Sequence, residues 1–596
     1  MKRLFPFILS LFLLNMANTN VSGQEGTLTV LGSYNSGIFD GGASEISAYD
    51  PISQQLYTVN GGTGSIDIID ISDPTAPTFV SSISLAAYGA GANSVAVKDE
   101  VVAVAVEANN KQSDGSVVFF ETDGTFINEV TAGALPDMII FTEDGMTVLV
   151  ANEGEPDDDY QVDPEGSITI IDISAGVANA TASTATFTSF NGTTLDASIR
   201  IYGNDNQATV AQDMEPEYIA VSADGSTAWV ACQENNAWAI VDIASATVTD
   251  IVGMGLKDHS LAGNGLDASN DDDSIQIKPW PVFGFYMPDA IASYEVGGST
   301  YIISANEGDS RDYDGYSEEE RVKDLTLDPS IFTDPSLQDD ENLGRLKTTT
   351  AHPDTNANGE YQTIYSYGAR SFSIWDEDGN LVFDSGDDFE QTTATEIPEY
   401  FNSTNDDNDS FDNRSDDKGP EPEAVAIFED VNKTFVYIGL ERVGGIMVYE
   451  VTDPNNPVFV EYIINRDFTV EADSSAAGDL GPEGLLVISK ADSPTGEVLL
   501  ISSNEVSGNI SIFEIESEPS TSIDETVNSE IPLVVYPNPV RDVLRTNKYV
   551  NGKVIDLLGN TVMTVQNARQ IEVSALNPGI YLLHAVDGSV NKFSKL

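Results

Sequence analysis

Cysteine is almost absent from this chain of 596 residues. The single residue, Cys232, lies in a strand-like Trp-Val-Ala-Cys run, so no intramolecular disulfide can form. A lone cysteine in such a run behaves as a small apolar side chain. We therefore expect the fold to be stabilised by burial, by closure of its sheets or by bound metal.

Histidine is also scarce, with only His259, His352 and His584 in the whole chain. A two-zinc phosphatase site usually needs several histidine ligands, and the sequence does not supply them. A Ser–His–Asp triad is open only to His259 or His352, and no Gly-x-Ser-x-Gly segment accompanies either. We interpret each histidine as a hydrogen-bonding loop residue.

Basic residues are few: 26 Lys and Arg stand against 97 Asp and Glu, which gives a formal net charge of −71. The excess lies in residues 24–530, whereas residues 531–596 are slightly basic. Such a body repels nucleic acid and anionic membranes and attracts divalent cations. A second interpretation, a surface adapted to salt, stays open.

Long apolar runs are missing except for one near the N-terminus. Met1-Lys2-Arg3 precedes an apolar run from Leu4 to Met16, and small and polar residues follow. This pattern is typical of a secretory signal peptide, which we assign to residues 1–23. The run is shorter than the roughly 20 residues that span a bilayer, so we expect an exported protein with no transmembrane segment after processing.

One pattern recurs seven times in the chain. A polar or acidic residue opens a short apolar run, a turn follows, and a second apolar run ends near Asn or Glu. The openings are Glu45, Asn93, Asp137, Glu217, Asp289, Glu423 and Glu483. Short strands at this spacing predict an all-β fold, a seven-bladed β-propeller over residues 24–516. Thr27–Gly32 would supply the outer strand of the last blade and close the ring. A pair of packed eight-stranded sheets is the alternative, but it does not explain seven similar units.

Antiparallel neighbours bring the start of one strand beside the end of the next, so acidic residues at these positions should share one rim. The opening acids are Glu45, Asp137, Glu217, Asp289, Glu423 and Glu483, and the closing acids are Glu107, Glu153, Glu234, Glu307, Glu441 and Glu505. Two carboxylates about 6 Å apart repel by roughly 1 to 3 kcal/mol. These acids must therefore take up protons, bind cations or, in the alternative interpretation, cap loop N–H groups.

A long polar segment interrupts the repeat at about residues 308–419, and most of the body's basic residues lie in or beside it. Segments of this length inside a compact fold are usually functional or disordered. A Ser/Thr/Glu/Pro-rich linker is predicted for residues 517–530. Residues 531–596 alternate apolar and polar residues and predict a small C-terminal β-sandwich.

The tail carries three matching motifs: Val534-Val535-Tyr536-Pro537-Asn538-Pro539, Lys553–Gly559 and Leu576–Leu582. With these motifs the tail resembles the type A sorting domain of the type IX secretion system of Bacteroidetes. The resemblance implies export through the outer membrane by the type IX machinery, removal of the tail, and release or attachment at the cell surface.

The body contains long contiguous segments with a second resemblance. They include MPDAIASY from Met287, SANEGDSRDYDGYSEEERV from Ser304, RSDDKGPEPEAVA from Arg414 and IGLERVGGIMVYEVTDP from Ile438. Over most of residues 26–516 the chain resembles the choice-of-anchor I family, which is related to mesenchyme-specific cell-surface glycoproteins. The resemblance implies an extracellular β-propeller. Some members are labelled alkaline phosphatase-like.

Carboxylate oxygens are hard ligands that suit Ca²⁺, and we expect a calcium site at the rim. The predicted metal ligands are Glu153, Asp289, Glu307, Asp309, Asp312, Glu423 and Glu483. Asp312 also begins a partial calcium-loop pattern, Asp312-x-Asp314-Gly315.

The leading hypothesis is a secreted or cell-surface module that binds or adheres in a Ca²⁺-dependent way. Surface glycans and phosphate esters are the predicted ligands. The alternative is a metal-dependent phosphoesterase, alkaline phosphatase-like or phytase-like, in which Arg311 and Arg414 hold phosphate. In that acidic setting, pairing with local carboxylates is the other role open to these arginines.

Overall fold

The computed structural model describes residues 24–517, 533, 535–556, 560–586 and 589–596. The chain divides after residue 518 into two compact units. The predicted signal peptide and residues 518–530 of the predicted linker lie outside the described residues. The prediction of an all-β fold is confirmed, since helices are few and short.

The described part of the first unit contains seven four-stranded antiparallel sheets, together with one three-stranded sheet and two two-stranded sheets. The chain starts with β1 (Leu28–Asn35) and then forms sheets I to IV in order. Sheet I has β2 (Ser47–Asp50), β3 (Gln55–Asn60), β4 (Ser65–Asp70) and β5 (Thr78–Ser84). Sheet II has β6 (Gly91–Lys98), β7 (Val101–Glu107), β8 (Asp114–Glu121) and β9 (Phe126–Ala134). Sheet III has β10 (Pro136–Phe141), β11 (Thr147–Asn152), β12 (Ser167–Asp172) and β13 (Thr181–Thr186). Sheet IV has β14 (Ile219–Val221), β15 (Thr227–Cys232), β16 (Ala237–Asp242) and β17 (Thr247–Gly253).

Sheet V is interrupted along the chain. The strands from here to the end of sheet V are β18 (Leu256–Asp258), β19 (Phe283–Phe285), β20 (Ile291–Val296), β21 (Ser299–Asn306), β22 (Asp312–Tyr313), β23 (Tyr316–Ser317), β24 (Glu319–Arg321), β25 (Lys347–Thr349), β26 (Tyr365–Ser366), β27 (Ser371–Asp376) and β28 (Leu381–Asp384). Sheet V takes β20, β21, β27 and β28. The segment predicted as one insertion, 308–419, therefore contains two strands of a regular sheet, and the excursions lie on either side of them.

Sheets VI and VII complete the first unit. Sheet VI has β29 (Pro422–Glu429), β30 (Thr434–Leu440), β31 (Ile446–Glu450) and β32 (Val458–Ile463). Sheet VII has β33 (Pro482–Ile488), β34 (Leu499–Asn504) and β35 (Asn509–Ile515), with β1 as its fourth strand. The pairing of β1 with β35 joins the two ends of the unit, and it covers an edge that would otherwise expose unpaired backbone groups.

The first strand of each sheet forms an inner ring, because β2, β6, β10, β14, β20, β29 and β33 contact one another in that order and β33 contacts β2. Five of these strands, from β10 to β33, line a cavity of about 820 Å³. This arrangement is β-propeller-like. The turns between first and second strands use local chemistry: in sheet III, Asp144 accepts a hydrogen bond from the Met146 N–H, and Gly145 adopts a φ of 67° that suits glycine.

Helices in the described residues are short and lie in the segments between strands. They are α1 (Gly203–Asn206), α2 (Val210–Asp213) and α3 (Asp388–Glu396), with 3₁₀ turns at Val177–Asn179, Thr188–Phe190, Val322–Asp324 and Pro335–Gln338 and a π turn at Asp340–Gly344. Among the described residues, no helix has the length and apolar character needed to cross a membrane.

The second unit is built from β36 (Val535–Tyr536), β37 (Val543–Asp556), β38 (Thr561–Glu572), β39 (Gly579–Ala585) and β40 (Val590–Lys595). These strands form one connected sheet in the order β36-β37-β39-β40, with β38 paired to β37. Leu544, Val554, Leu583 and Phe593 are buried in its core. The predicted β-sandwich is thus not confirmed, because the described strands do not separate into two sheets.

The packing of β1 against sheets VI and VII leads to a first prediction. Leu28 is 6% exposed and belongs to a core cluster with Phe435 and Phe513, whereas Val30 on the same strand is 40% exposed. We expect Leu28→Ala to lower the free energy of unfolding by about 2–4 kcal/mol, because it leaves a cavity in that cluster. Val30→Ala should cost less than about 1 kcal/mol. Urea unfolding of both variants checks this, and equal losses would show that β1 does not close the unit as described.

Candidate functional site

The opening and closing acids meet at one end of the inner strands, which we call the acidic rim. It comprises Glu45, Glu107, Asp137, Glu153, Glu217, Glu234, Asp289, Glu307, Glu423, Glu441, Glu483 and Glu505. Backbone pairing fixes the neighbours: the Glu153 N–H donates to Leu135, the Glu441 N–H donates to Glu421 and the Glu505 N–H donates to Gly481. The end of each second strand therefore lies beside the start of the first strand of its own sheet.

Group A, which contains Asp289, Glu307 and Glu423, lies where sheets V and VI meet. One carboxylate oxygen from each residue lies within 4.8 Å of the other two. Glu423 is 8% exposed, and its Oε2 atom is buried without a hydrogen-bond partner. Glu307 is held in place by Lys418 Nζ at 2.7 Å and by Gln233 Nε2 at 2.9 Å. Three of the predicted metal ligands thus converge on one point.

Group B, which contains Glu307, Glu421 and Glu441, looks similar by distance but differs in charge. Its oxygens also lie within 4.8 Å of one another. Three bases reach Glu421: Arg414 Nη2 at 2.6 Å, Arg442 Nε at 3.0 Å and Lys418 Nζ at 3.1 Å. Burial alone would raise the pKa of Glu421, but the charges of Lys418, Arg414 and Arg442 outweigh it and hold that pKa well below the ordinary value. Group B is therefore an ion-pair network that already contains its cations.

Group C, which contains Glu153, Glu217 and Glu234, lies where sheets III and IV meet. Its carboxylate oxygens again lie within 4.8 Å of one another. Glu217 Oε2 and Glu234 Oε2 are both buried without a hydrogen-bond partner. Burial raises the pKa of Glu217 well above its ordinary value, and the nearby charges of Glu234 and Glu153 add to this effect.

The rest of the rim is also crowded with negative charge. Burial raises the pKa of Glu45 to about 8, helped by Glu505 and Asp137, and burial raises the pKa of Asp137 to about 7, helped by Glu155 and Glu234. Burial also raises the pKa of Glu483 well above its ordinary value, with Glu505 and Glu441 adding to it. Without a counter-charge these groups keep protons at a pH where ordinary carboxyls have lost them.

Arg311 is buried away from any ligand. It is 1% exposed, and its guanidinium pairs with Asp213 and with Glu215 at 2.7 Å, while a further N–H donates to the Asp213 carbonyl at 2.8 Å. Arg414 is likewise engaged by Glu421 and by Asp417 at 2.9 Å. These contacts correspond to the other predicted role, pairing with local carboxylates, and the phosphate-binding role stays a prediction.

Two other predicted ligands lie apart from groups A and C. The Asp309 side chain is 53% exposed, and its nearest base is Lys418 at 3.7 Å. Asp312 is exposed on the short β22–β23 hairpin. Neither residue belongs to a group of converging carboxylates in the described part of the chain.

The structure adds residues that the ligand prediction left out. Glu217 and Glu234 had been placed on the rim but not among the metal ligands, and Glu421 and Glu215 had not been singled out. A repeated Glu-Pro-Glu motif was the available signal: Glu215-Pro216-Glu217 precedes β14, and Glu421-Pro422-Glu423 begins β29. In both motifs the first glutamate pairs with arginine and the second joins a carboxylate group.

Comparison with known proteins gives two family matches. The model of the choice-of-anchor I domain matches residues 45–454. The model of the secretion system C-terminal sorting domain matches residues 534–596. A C-terminal domain of the latter kind indicates secretion to the extracellular space or the outer surface through the type IX machinery, and the predicted localisation is confirmed.

Two curated relatives match part of the chain. Gigasin-3a of Magallana gigas is 28% identical over 265 residues, which is 40% of this chain and 92% of that protein. A mesenchyme-specific cell surface glycoprotein of Strongylocentrotus purpuratus is 25% identical over 314 residues, which is 46% of this chain and 39% of that protein. The chain thus matches less than half of the length of the Strongylocentrotus purpuratus protein.

Three of the solved structures to which the chain is similar are the following. Hydrazine synthase of Kuenenia stuttgartiensis has a TM-score of 0.40 at 13% identity, covering 80% of this chain and 96% of that one. Streptogramin B lyase has a TM-score of 0.39 at 9% identity, covering 83% and 100%. The Pan2 WD40 domain of Neurospora crassa has a TM-score of 0.41 at 10% identity, covering 83% and 98%.

The buried pairing of Arg311 leads to a second prediction. Arg311→Ala leaves the buried Asp213 and Glu215 carboxylates without their base, so we expect a loss of about 3–5 kcal/mol in the free energy of unfolding. Lys323→Ala is the control, because Lys323 forms an exposed ion pair with Asp340 and its loss should cost about 1 kcal/mol or less. Thermal and urea unfolding measure both. An Arg311→Ala variant as stable as the unaltered chain would contradict the structural role of this ion pair.

The raised pKa values of the rim lead to a third prediction. A carboxyl whose pKa is raised on folding favours the folded state below its unfolded pKa and loses that advantage as pH rises. In the presence of EDTA, we therefore expect the melting temperature to fall between about pH 4.5 and pH 8, the range set by Asp137 and Glu45. As the pH is lowered below 4.5, the melting temperature should also fall, because the pKa of Glu421 is lowered in the folded state and its protonation is therefore costly. Scanning calorimetry from pH 3 to pH 9 measures this.

Glu45→Gln provides the control for the pH profile. This substitution removes one of the carboxyls with a raised pKa, so the fall above pH 4.5 should become shallower. A melting temperature that rises steadily from pH 5 to pH 8 would contradict the raised pKa values.

Proposed function

Since the chain belongs to the choice-of-anchor I family, we propose that its seven sheets are the blades of a seven-bladed β-propeller that acts as a Ca²⁺-dependent binding or adhesion module. The module works outside the cell, where the sorting domain directs it. Its working surface in this proposal is the acidic rim, and group A is the cation site.

The observation that carries the proposal is the geometry of group A. Asp289, Glu307 and Glu423 bring their oxygens together within 4.8 Å, although they come from two sheets and lie up to 134 positions apart. Two oxygens that bind the same Ca²⁺ at about 2.4 Å can be at most about 4.8 Å apart, so the group is narrow enough to share one ion. Glu483 reinforces the site, because its carboxyl interacts directly with that of Glu423.

The chemistry of the donors supports Ca²⁺ rather than a softer metal. All three members of group A offer carboxylate oxygens, and neither a histidine nor a cysteine belongs to the group. Ca²⁺ takes six to eight oxygen ligands, so three protein carboxylates leave positions for water or for an external ligand. Asp289 is partly exposed, which gives such a ligand access.

The overall charge supports an acidic ligand that binds through the metal. A body this negative repels sulfated or carboxylated polymers unless a cation bridges the two surfaces. An acidic surface glycan bound through Ca²⁺ therefore fits the site, and binding should be lost when the metal is removed. The name of the sea urchin relative, a cell surface glycoprotein, is consistent with a role at a surface.

The phosphoesterase alternative has less support. It needs guanidinium groups that face a substrate, yet Arg311 and Arg414 are engaged by protein carboxylates. The hypothesis predicts Ca²⁺-dependent hydrolysis of a phosphomonoester or of phytate by the pure protein. Hydrolysis that is abolished by Asp289→Asn would favour it over the binding module.

The fourth prediction tests the cation site. We expect calorimetric titration of the full chain with Ca²⁺ to release heat and to raise the melting temperature. A double variant, Asp289→Asn with Glu423→Gln, should lose at least tenfold in affinity at group A, because amides keep the shape of the site but remove its charge. If millimolar Ca²⁺ changes neither the heat nor the melting temperature of the unaltered chain, the proposal fails.

A charge-matched control and a ligand assay complete this test. Glu295→Gln with Glu429→Gln removes two exposed carboxylates at the other ends of β20 and β29, and Ca²⁺ binding should stay unchanged. Immobilised chondroitin sulfate serves as the acidic glycan probe. The proposal predicts that the unaltered chain is retained in Ca²⁺ but not in EDTA. The group A variant should lose this retention and the control should keep it. Retention that does not depend on Ca²⁺ would contradict the proposal.

A further inference from the structure

We propose that group C is a second divalent-cation site, in which Glu153, Glu217 and Glu234 bind one Ca²⁺ that links sheets III and IV. The site is separate from group A, since the two groups share no residue. The inference does not depend on the ligand-binding role proposed for the rim, because a cation that links two sheets acts on stability.

The three ligands arise from neighbouring parts of the ring. Glu153 follows the end of β11 in sheet III, Glu217 precedes β14 and Glu234 follows β15 in sheet IV. The Glu234 main chain is held from behind, because its carbonyl accepts a hydrogen bond from Arg200 Nη1 at 2.9 Å. Asn235 and Asn236 are also fixed by hydrogen bonds to the main chain. The carboxylates are thus presented by a rigid frame, as a metal site requires.

A second observation points to a ligand, beyond the clustering itself. Glu234 is only 7% exposed, and its Oε2 atom has no hydrogen-bond partner. The same holds for the buried Oε2 atom of Glu217, whose carboxyl interacts directly with that of Glu234. A buried carboxylate oxygen without a donor is costly, and two that face one another are costlier. A cation between them satisfies both.

The bases around group C are engaged elsewhere. Arg200 contacts only the Glu234 carbonyl and pairs with Glu318. Lys111 pairs with Glu155 at 3.6 Å, and Arg311 pairs with Asp213 and Glu215. Among the described residues, no lysine or arginine forms an ion pair with Glu153, Glu217 or Glu234. The contrast with group B is direct, since there three bases surround Glu421. Group C therefore gathers three carboxylates that, in the part of the chain the structure describes, have no base paired with them, although Lys111 acts on Glu153 from a distance.

Protonation is the competing way to satisfy group C. Burial raises the pKa of Glu153 well above its ordinary value, and the charges of Glu155 and Asp137 add to it. A shared proton can bridge Glu217 and Glu234, but it leaves the third carboxylate next to them. A divalent ion neutralises more of the charge and contacts all three oxygens within the 4.8 Å limit. The experiment below separates the two cases.

The test counts calcium ions in the full chain. Protein is stripped with EDTA, dialysed against ⁴⁵Ca²⁺ and assayed for bound metal. We expect the Glu217→Gln and Glu234→Gln double variant to bind one Ca²⁺ fewer than the unaltered chain, and the group A double variant to lose a different one. The combined variant should lose both. An unchanged count in the Glu217/Glu234 variant overturns the inference and identifies the group as protonated carboxyls.

Two measurements keep the result interpretable. Glu295→Gln with Glu429→Gln is the charge-matched control and should keep the full count. The melting temperature in EDTA should be equal or higher in the Glu217/Glu234 variant, because like charges have been removed, while its rise on adding Ca²⁺ should shrink. If the double variant does not fold, Glu153→Gln replaces it, and at least a tenfold loss of affinity for one ion is expected; unchanged affinity again overturns the inference.

The two proposals fail separately. If the unaltered chain does not retain the glycan but the Glu217/Glu234 variant still binds one Ca²⁺ fewer, the binding module is wrong and the linking site stands. An unchanged count in the group C variants, together with Ca²⁺-dependent glycan retention, removes the linking site and leaves the module.

Discussion

Repulsion between carboxylates at one end of the inner strands is the constraint on which this structure depends. In five of the seven sheets, the backbone pairing of the first and second strands brings an opening acid and a closing acid together, and sheets I and II each add one acid to the ring. In a chain with a net charge of −71, few bases are available to offset it. Each carboxylate must therefore pair with a base, keep a proton or bind a cation. In group B the protein supplies the bases, whereas groups A and C each contain a buried oxygen without a hydrogen-bond donor.

The two Glu-Pro-Glu motifs show how the fold assigns these solutions. Glu215 and Glu421, the first acids, are buried and paired with arginine: Glu215 with Arg311, 96 positions away, and Glu421 with Arg414, 7 positions away. Glu217 and Glu423, the second acids, each keep a buried oxygen without a donor and join a group of converging carboxylates. The motifs lie at the start of sheets IV and VI, which are the two neighbours of sheet V in the ring. One short sequence is used twice, to anchor the chain and to present a ligand.

The excursions around β27 and β28 supply the bases of this system. Arg311 reaches back to Asp213 and Glu215, while Lys418 and Arg414 reach Glu307 and Glu421. Their side chains are buried or nearly so, which makes removal of one partner expensive. The excursions thus supply bases that pair with carboxylates at or beside the rim. The same pairing explains why arginines that seemed suited to phosphate are committed to the protein.

The sequence by itself determined the all-β class and the edge where the acids lie, because strand periodicity and turn residues are local signals. The family and the secretion route followed from contiguous motifs that resemble those of known domains. The sequence also predicted that the carboxylates of Asp289, Glu307 and Glu423 lie close together at that edge, since each residue stands at the start of a first strand or at the end of a second strand. Only the tertiary structure decided which carboxylates receive a base: Arg311 pairs with residues 96 and 98 positions away, and no local pattern encodes such a contact. It also decided that Asp312 lies apart on an exposed hairpin and that β27 and β28 return to sheet V. Whether a carboxylate is paired with a base depends on side-chain direction and on long-range contacts, and both of these depend on the complete fold.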